Sequence, residues 1–166
     1  MATVVPAQPR FTTQKSLYAI DSLTSEATKL TEATGWSAPD ESSLLSILVL
    51  YHSHDAASTQ GMVWVWAQVT PPKTRAVGTM PNLVLAMPGR TSSRMRASAA
   101  QLMGADDSAD TARRLASRFK RPVFVTLAGT QPSRAHGIAS VAAEQMDELM
   151  TVERCLVSEL ASALRK

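Results

Sequence analysis

Two compact apolar runs near the middle of the chain constrain its fold most. LLSILVLY extends from Leu44 to Tyr51, and MVWVWAQV extends from Met62 to Val69. The polar linker HSHDAASTQG separates them and ends in Gly61, and β-branched and aromatic residues dominate the second run. The pattern predicts a β-hairpin with a loose loop.

The second run is apolar on both sides. Side chains alternate along a strand, so this run presents two sets of residues to opposite faces of a sheet. They are Met62, Trp64 and Trp66 on one face, and Val63, Val65 and Ala67 on the other. We therefore expect both faces to be covered. Both runs are far shorter than the roughly 20 residues that a membrane-spanning helix needs.

The remaining strand signals are weaker and lie on both sides of the hairpin. Phe11 to Leu23 is compatible with a first strand or with the start of a helix. Thr24 to Ser43 is rich in Ser, Thr, Ala and Glu and is interpreted as an exposed connection. NLVLAM, Asn82 to Met87, predicts a third central strand, and Arg94 to Ala99 a weaker edge strand.

The segment ADDSADTARRLASRFK predicts a helix that Ser108 or Asp110 can cap. Its apolar positions recur at helical spacing: Ala112, Leu115, Ala116 and Phe119. Pro122 cannot extend the helix, and the following PVFVTL predicts a buried strand.

The chain closes with a long amphipathic helix, predicted from Ser140 to Arg165. The apolar positions keep a spacing of three to four: Ala142, Met146, Leu149, Val152, Leu156, Leu160 and Ala163. Strands thus come mostly first and helices late, which predicts an α+β fold with an antiparallel sheet. We expect residues 1–10 to form a flexible tail and residues 11–166 a single domain, since 166 residues are close to the usual domain size.

Composition narrows the class of protein. With 45% hydrophobic and 19% charged residues, the chain has the balance of a soluble globular protein. A formal charge of +3 is too small to bind nucleic acid by itself, so no nucleic-acid partner is predicted. The apolar runs are too short to span a membrane, and no membrane partner is predicted either. Cys155 has no disulfide partner, and the first residues lack a secretory signal, which favours the cytoplasm or the nucleus.

No motif for catalysis or cofactor binding emerges. His52 and His54 could face the same way beside Asp55, yet no third metal ligand follows at a recognisable spacing. Cys155 is interpreted as a packing residue, and the stretch MPGRTSSR lacks the glycines of a phosphate loop. We predict no enzyme, no metal and no cofactor; a small enzyme that uses His52, His54 or Cys155 stays the alternative.

Basic residues gather on the polar side and the end of the first helix. They are Arg113, Arg114, Arg118, Lys120 and Arg121. One interpretation is a solvated face whose cations favour a helix C-terminus. The other is a docking surface for an acidic protein, with Arg113, Arg114, Arg118 and Lys120 as the partner-binding residues.

These segments together resemble the proteasome assembly chaperone 4 family. The resemblance rests on a hairpin ending in MVWVWA, the strand NLVLAM, the stretch MGADDSADT leading into ARRLASRFKRPVFVT, and the closing helix, and it covers about Leu44 to Leu164. It implies a sheet of about six antiparallel strands flanked by helices. It also implies a non-enzymatic chaperone that pairs with an assembly chaperone 3 subunit, binds α-type subunits and helps to order the α ring of the 20S proteasome. A homodimeric scaffold of the same fold in an unrelated complex is the alternative. Whether the isolated chain also forms a homodimer stays open at this point.

Overall fold

A computed structural model describes most of the chain. The described residues are 11–21, 23–31, 41–52, 61–74, 78, 80–89, 96–104, 108–129 and 139–165. The predicted tail, residues 1–10, lies outside them. Neither described helix is long and apolar enough to cross a membrane.

Seven strands and two helices make up the described fold. The strands are β1 (Phe11–Ile20), β2 (Ala27–Leu30), β3 (Ser43–His52), β4 (Val63–Thr70), β5 (Leu83–Met87), β6 (Ser98–Met103) and β7 (Val123–Ala128); the helices are α1 (Ser108–Phe119) and α2 (Ala139–Ala163).

All seven strands form one sheet in the order β2-β1-β3-β4-β7-β5-β6. Neighbouring strands are antiparallel except β4 and β7, which are parallel. The predicted hairpin is β3 and β4, with Val49 opposite Val65. The last strand of the sequence, β7, lies between β4 and β5 in the sheet. The helix α1 connects the edge strand β6 to β7.

One face of the sheet carries the hydrophobic core. α1 packs against β5, β6 and β7, and α2 packs against β1 and β3. The strand residues that point toward these helices are almost completely buried: Leu45, Ile47 and Val49 of β3, Val63, Val65 and Ala67 of β4, Val84 of β5, and Val123 and Val125 of β7. Leu115 of α1 and Leu156 and Leu160 of α2 complete the core from the helix side.

A buried amide fixes the inserted strand against its neighbour. Asn82, just before β5, donates from Nδ2 to the carbonyl of Leu127 at 2.7 Å and accepts from the Leu127 N–H at 2.9 Å. Gly129 then ends β7 with a φ of +78°, and any Cβ there would collide with the Val69 carbonyl. The end of β7 is therefore held from both sides.

Most predicted elements are confirmed. The fold is α+β with a mostly antiparallel sheet; the hairpin, the strand in NLVLAM, the first helix with the strand after it, and the closing helix are all present. The ambiguous first segment is a strand, β1. Ser108 begins α1, but its hydroxyl is buried without a hydrogen-bond partner among the described residues, so it does not act as the predicted cap.

Three expectations were wrong in detail. Thr24 to Ser43 was expected to be an exposed connection, yet it contains β2, which pairs with β1. The weak edge strand lies at Ser98–Met103, about four residues later than Arg94 to Ala99. Both helices pack on the same side of the sheet, so no described helix covers the opposite face.

Candidate functional site

The residues considered for catalysis do not form an active site in the described part of the chain. His52 is the last residue of β3, whereas His54 and Asp55 lie outside the described residues. Burial, and then the nearby Glu159 carboxylate, raises the pKa of the Cys155 thiol to about 11, so the thiol is protonated at neutral pH. Among the described side chains, no group of three or more His, Cys, Asp or Glu could hold a metal ion.

A shallow groove lies between the β1–β2 turn and α2. Its walls include Glu26, Asp147 and Arg154, and Cys155 also lines it. The groove thus combines both signs of charge with a protonated thiol. The groove contains no activated nucleophile among its described residues. Its mixed charges would not favour ligands of one charge over the other.

Glu159 of α2 is a buried carboxylate that was not among the predicted site residues. Its side chain is 2% exposed, and it accepts hydrogen bonds of 2.5 Å from Gln14 Nε2, Tyr18 OH and Lys29 Nζ. Burial alone would raise the pKa of Glu159, but hydrogen bonds from Lys29, Tyr18, Ser16 and Gln14 outweigh burial and lower it to about 2. The ionised carboxylate therefore joins α2 to β1 and β2.

A signal for Glu159 was present in the sequence. The residue lies three positions after Leu156 and directly before Leu160, within the apolar side of α2. A charged residue on the apolar side of a helix needs a buried partner. The sequence could not identify that partner, because Lys29 is 130 residues away.

The predicted basic surface on α1 is partly neutralised within the chain. Arg113 forms an ion pair with Asp110 on the same helix. Arg114 makes two hydrogen bonds to Glu153 of α2, at 2.7 Å from Nε and 2.5 Å from Nη2, and this pairing raises the pKa of Arg114. Arg114 thus connects the two helices, a structural role that the sequence did not suggest.

The other two predicted partner-binding residues are Arg118 and Lys120, whose charges are not neutralised by a described ion pair. Arg118 and Lys120 are exposed, and no ion pair within the described residues engages either one. Lys120 has a φ of +54° and ends the helix in the left-handed region. Arg121, which follows, is 7% exposed and does not contribute to the surface.

The helix-free side of the sheet carries an aromatic row. Leu50, Trp64, Phe124 and Leu85 are opposite one another across β3, β4, β7 and β5. The rings of Trp64 and Phe124 stack with their centres 5.5 Å apart. Leu48 and Trp66 form an adjacent pair on the same side. We call these six half-buried residues the aromatic face: Leu48, Leu50, Trp64, Trp66, Leu85 and Phe124.

The aromatic face has a defined extent. The same side of the sheet is buried at Thr126, which lies opposite Trp66, and at Gln68, two residues beyond Trp66 on β4. At the other end Met62 precedes β4, and it is 52% exposed. A half-buried face with two Trp and one Phe has the composition of a protein interface, in which aromatic residues are enriched.

Comparison with known families identifies the central part of the chain. Residues 50–128 match the family model described as proteasome assembly chaperone 4. No curated protein matches the chain significantly. The matched segment spans the end of β3 through β7 and includes α1, so it contains most of the aromatic face and all four predicted basic residues. The match confirms the predicted resemblance over these residues.

Proposed function

We propose that this chain, whose residues 50–128 carry the proteasome assembly chaperone 4 match, is a non-enzymatic chaperone that orders the α ring of the 20S proteasome. It acts as a heterodimer with a chaperone 3-like subunit, and the pair binds α-type subunits transiently in the cytoplasm or the nucleus. The family match is the observation that carries the proposal.

The aromatic face supports pairing with the sister subunit. A related subunit of similar fold would present a sheet face of its own, and two such faces pack about 10 Å apart with interdigitated side chains. Burying the six side chains of the aromatic face removes their remaining apolar area from water, and buried aromatic residues dominate binding energy at interfaces.

The basic side of α1 supports contact with α-type subunits. Arg118 and Lys120 lie outside any described ion pair, so their charge can attract an acidic surface and speed association. Arg113 and Arg114 have carboxylate partners within the chain. We assign them a smaller share of the contact.

Affinity purification of the tagged protein from its native cells, at moderate salt and with mass spectrometry, tests the proposal. We expect α-type proteasome subunits and a second small chaperone, with few mature β subunits. A different stable complex, without α-type subunits, would refute the proposed function.

Two variants separate the two surfaces. Leu48→Glu places a charge in the aromatic face and should reduce recovery of the sister subunit about tenfold or more, since a buried unpaired charge is costly. Leu23→Glu is the matched control, because Leu23 is 89% exposed. Arg118→Glu combined with Lys120→Glu should reduce recovery of α-type subunits and retain the sister subunit. Equal recovery with Leu48→Glu and Leu23→Glu would exclude the aromatic face as the pairing surface.

A further inference from the structure

The two edges of the sheet differ in how they are protected. Among the described strands, β6 forms one edge of the sheet and pairs with β5 alone. Five of its six residues are exposed, including Leu102 at 53% and Met103 at 43%. Its sequence, SAAQLM, has no charged residue and no proline. Edge strands usually carry such residues because their unpaired N–H and C=O groups can recruit another strand.

The opposite edge carries the protection that β6 lacks. β2 has only four residues and includes Lys29, whose ammonium group pairs with Glu159. The turn before β2 is also fixed to α2, since the Thr151 hydroxyl donates to the Ser25 carbonyl at 2.9 Å. A strand added at this edge would have to pair with β2, which is short, carries the charged Lys29 and follows a turn fixed to α2.

We propose that β6 pairs with β6 of a second copy of this chain, antiparallel and about a two-fold axis, to give one continuous sheet of two copies. This arrangement uses the unprotected edge at β6 twice and leaves the protected edge at β2 unpaired. Pairing of β6 with β2 would be head-to-tail and would propagate, whereas pairing of β6 with itself closes after two copies.

The charges near β6 fit a second copy. Arg96 is the described charged residue closest in sequence to the strand. If the two-fold axis passes at Ala100 or between Ala99 and Ala100, Arg96 of one copy lies opposite Gly104 or Met103 of the other. No like charges are then opposed across the junction, although opposed like charges would destabilise a strand pair.

The aromatic row leads directly to this edge. Ala100 lies opposite Leu85, which lies opposite Phe124, so the row extends from β3 to the exposed Ala100 on β6. Two-fold pairing at β6 places the rows of both copies in one sheet and leaves the aromatic face itself unoccupied. This inference therefore goes beyond the proposed function and does not rest on it.

The pairing is short. The register of β5 and β6 shifts between Leu83 and Val84, and Leu102 is the unpaired extra residue of this bulge. A bulge ends regular pairing, so the ladder is confined to the part of β6 before Leu102. An interface of this size is at the low end of specific interfaces, and we expect micromolar to millimolar association.

Sedimentation velocity of the full chain over a range of concentrations tests this interface. The wild type should convert from monomer to dimer as concentration rises. The double variant Ser98→Lys and Ala100→Lys should weaken the dimer about tenfold or more, because four like charges meet at the junction. The double variant Ser98→Glu and Ala100→Glu should do the same, and an equal mixture of the two variants should restore the dimer.

Controls make the result specific to β6. All four substitutions are on exposed side chains, and circular dichroism should confirm unchanged folding. Thr28→Lys places the same charge on the exposed surface of β2 and should leave the dimer unchanged, as should Leu48→Glu on the aromatic face. A chain that stays monomeric throughout, a dimer that the Lys double variant retains, or a dimer that only Leu48→Glu abolishes would each overturn the proposal.

Discussion

The two faces of this sheet are built from the same strands and differ in what covers them. On β3, Leu45 is completely buried beneath the helices, whereas Leu48 on the opposite face is half-buried. On β4, Val65 and Trp66 differ in the same way. Both faces are apolar, so hydrophobicity alone does not distinguish the core from the interaction surface. The difference arises because both helices pack on one face.

Polar contacts reinforce this asymmetry. Glu159 joins α2 to the sheet, and the contact between Arg114 and Glu153 joins α1 to α2. The two helices are therefore fixed to each other and to the face that they cover. Neither described helix packs on the aromatic face, whose side chains are half-buried.

The largest predicted effect compares equal truncations on the two faces. Leu45→Ala should lower the free energy of unfolding by about 2–5 kcal/mol, because it leaves a cavity in a fully packed core. Leu48→Ala should cost about half as much or less, since its side chain is already partly in contact with water. Urea unfolding of the isolated chain measures both. Equal losses would mean that the aromatic face is as tightly covered as the core.

A smaller effect concerns the buried carboxylate on the helix-covered face. Glu159→Gln should cost about 1–3 kcal/mol, because the charge-assisted hydrogen bonds from Lys29 and Tyr18 are lost or weakened. Glu153→Gln is the matched control and should cost less than about 1 kcal/mol, since its partner Arg114 is 55% exposed. If Glu153→Gln lowered the free energy of unfolding as much as Glu159→Gln, the Glu159 hydrogen bonds would not be the main contact between α2 and the sheet.

The smallest effect is a dependence on pH. The pKa of Glu159 is about 2 in the folded chain, below its ordinary value of 4.5. The ionised group therefore stabilises the fold fully above about pH 4.5, and this contribution is lost as pH falls toward 2. The difference in Tm between wild type and Glu159→Gln should be constant near neutral pH and shrink in that window. A constant difference down to pH 3 would contradict the assigned pKa.

Much of the fold could be predicted because its signals are local. Residues 44–51 and 62–69 predict their strands by apolar content and length, and α1 follows from the spacing of Ala112, Leu115 and Phe119. The family match at residues 50–128 covers residues 62–69 and α1. Of the basic residues predicted on the polar side and end of α1, Arg114, Arg118 and Lys120 are exposed, whereas Arg121 is buried.

The parts that were missed depend on distant partners. β2 has only four residues, and its strand conformation is supported by pairing with β1. Arg118 and Arg114 have the same charge in the sequence, yet only Arg114 meets a carboxylate of α2. The position of β6 was misjudged by four residues, because its small and polar side chains carry a weak periodic signal.

The sequence alone determined both helices and the central strands β3, β4, β5 and β7, because alternation and helical spacing act between near neighbours. Only the tertiary structure decided that both helices cover the same face, that β7 is inserted between β4 and β5, and that β6 is left as an unprotected edge. These choices depend on contacts between residues far apart in the chain, which local patterns do not encode. They also set which apolar surface becomes the core and which stays half-buried.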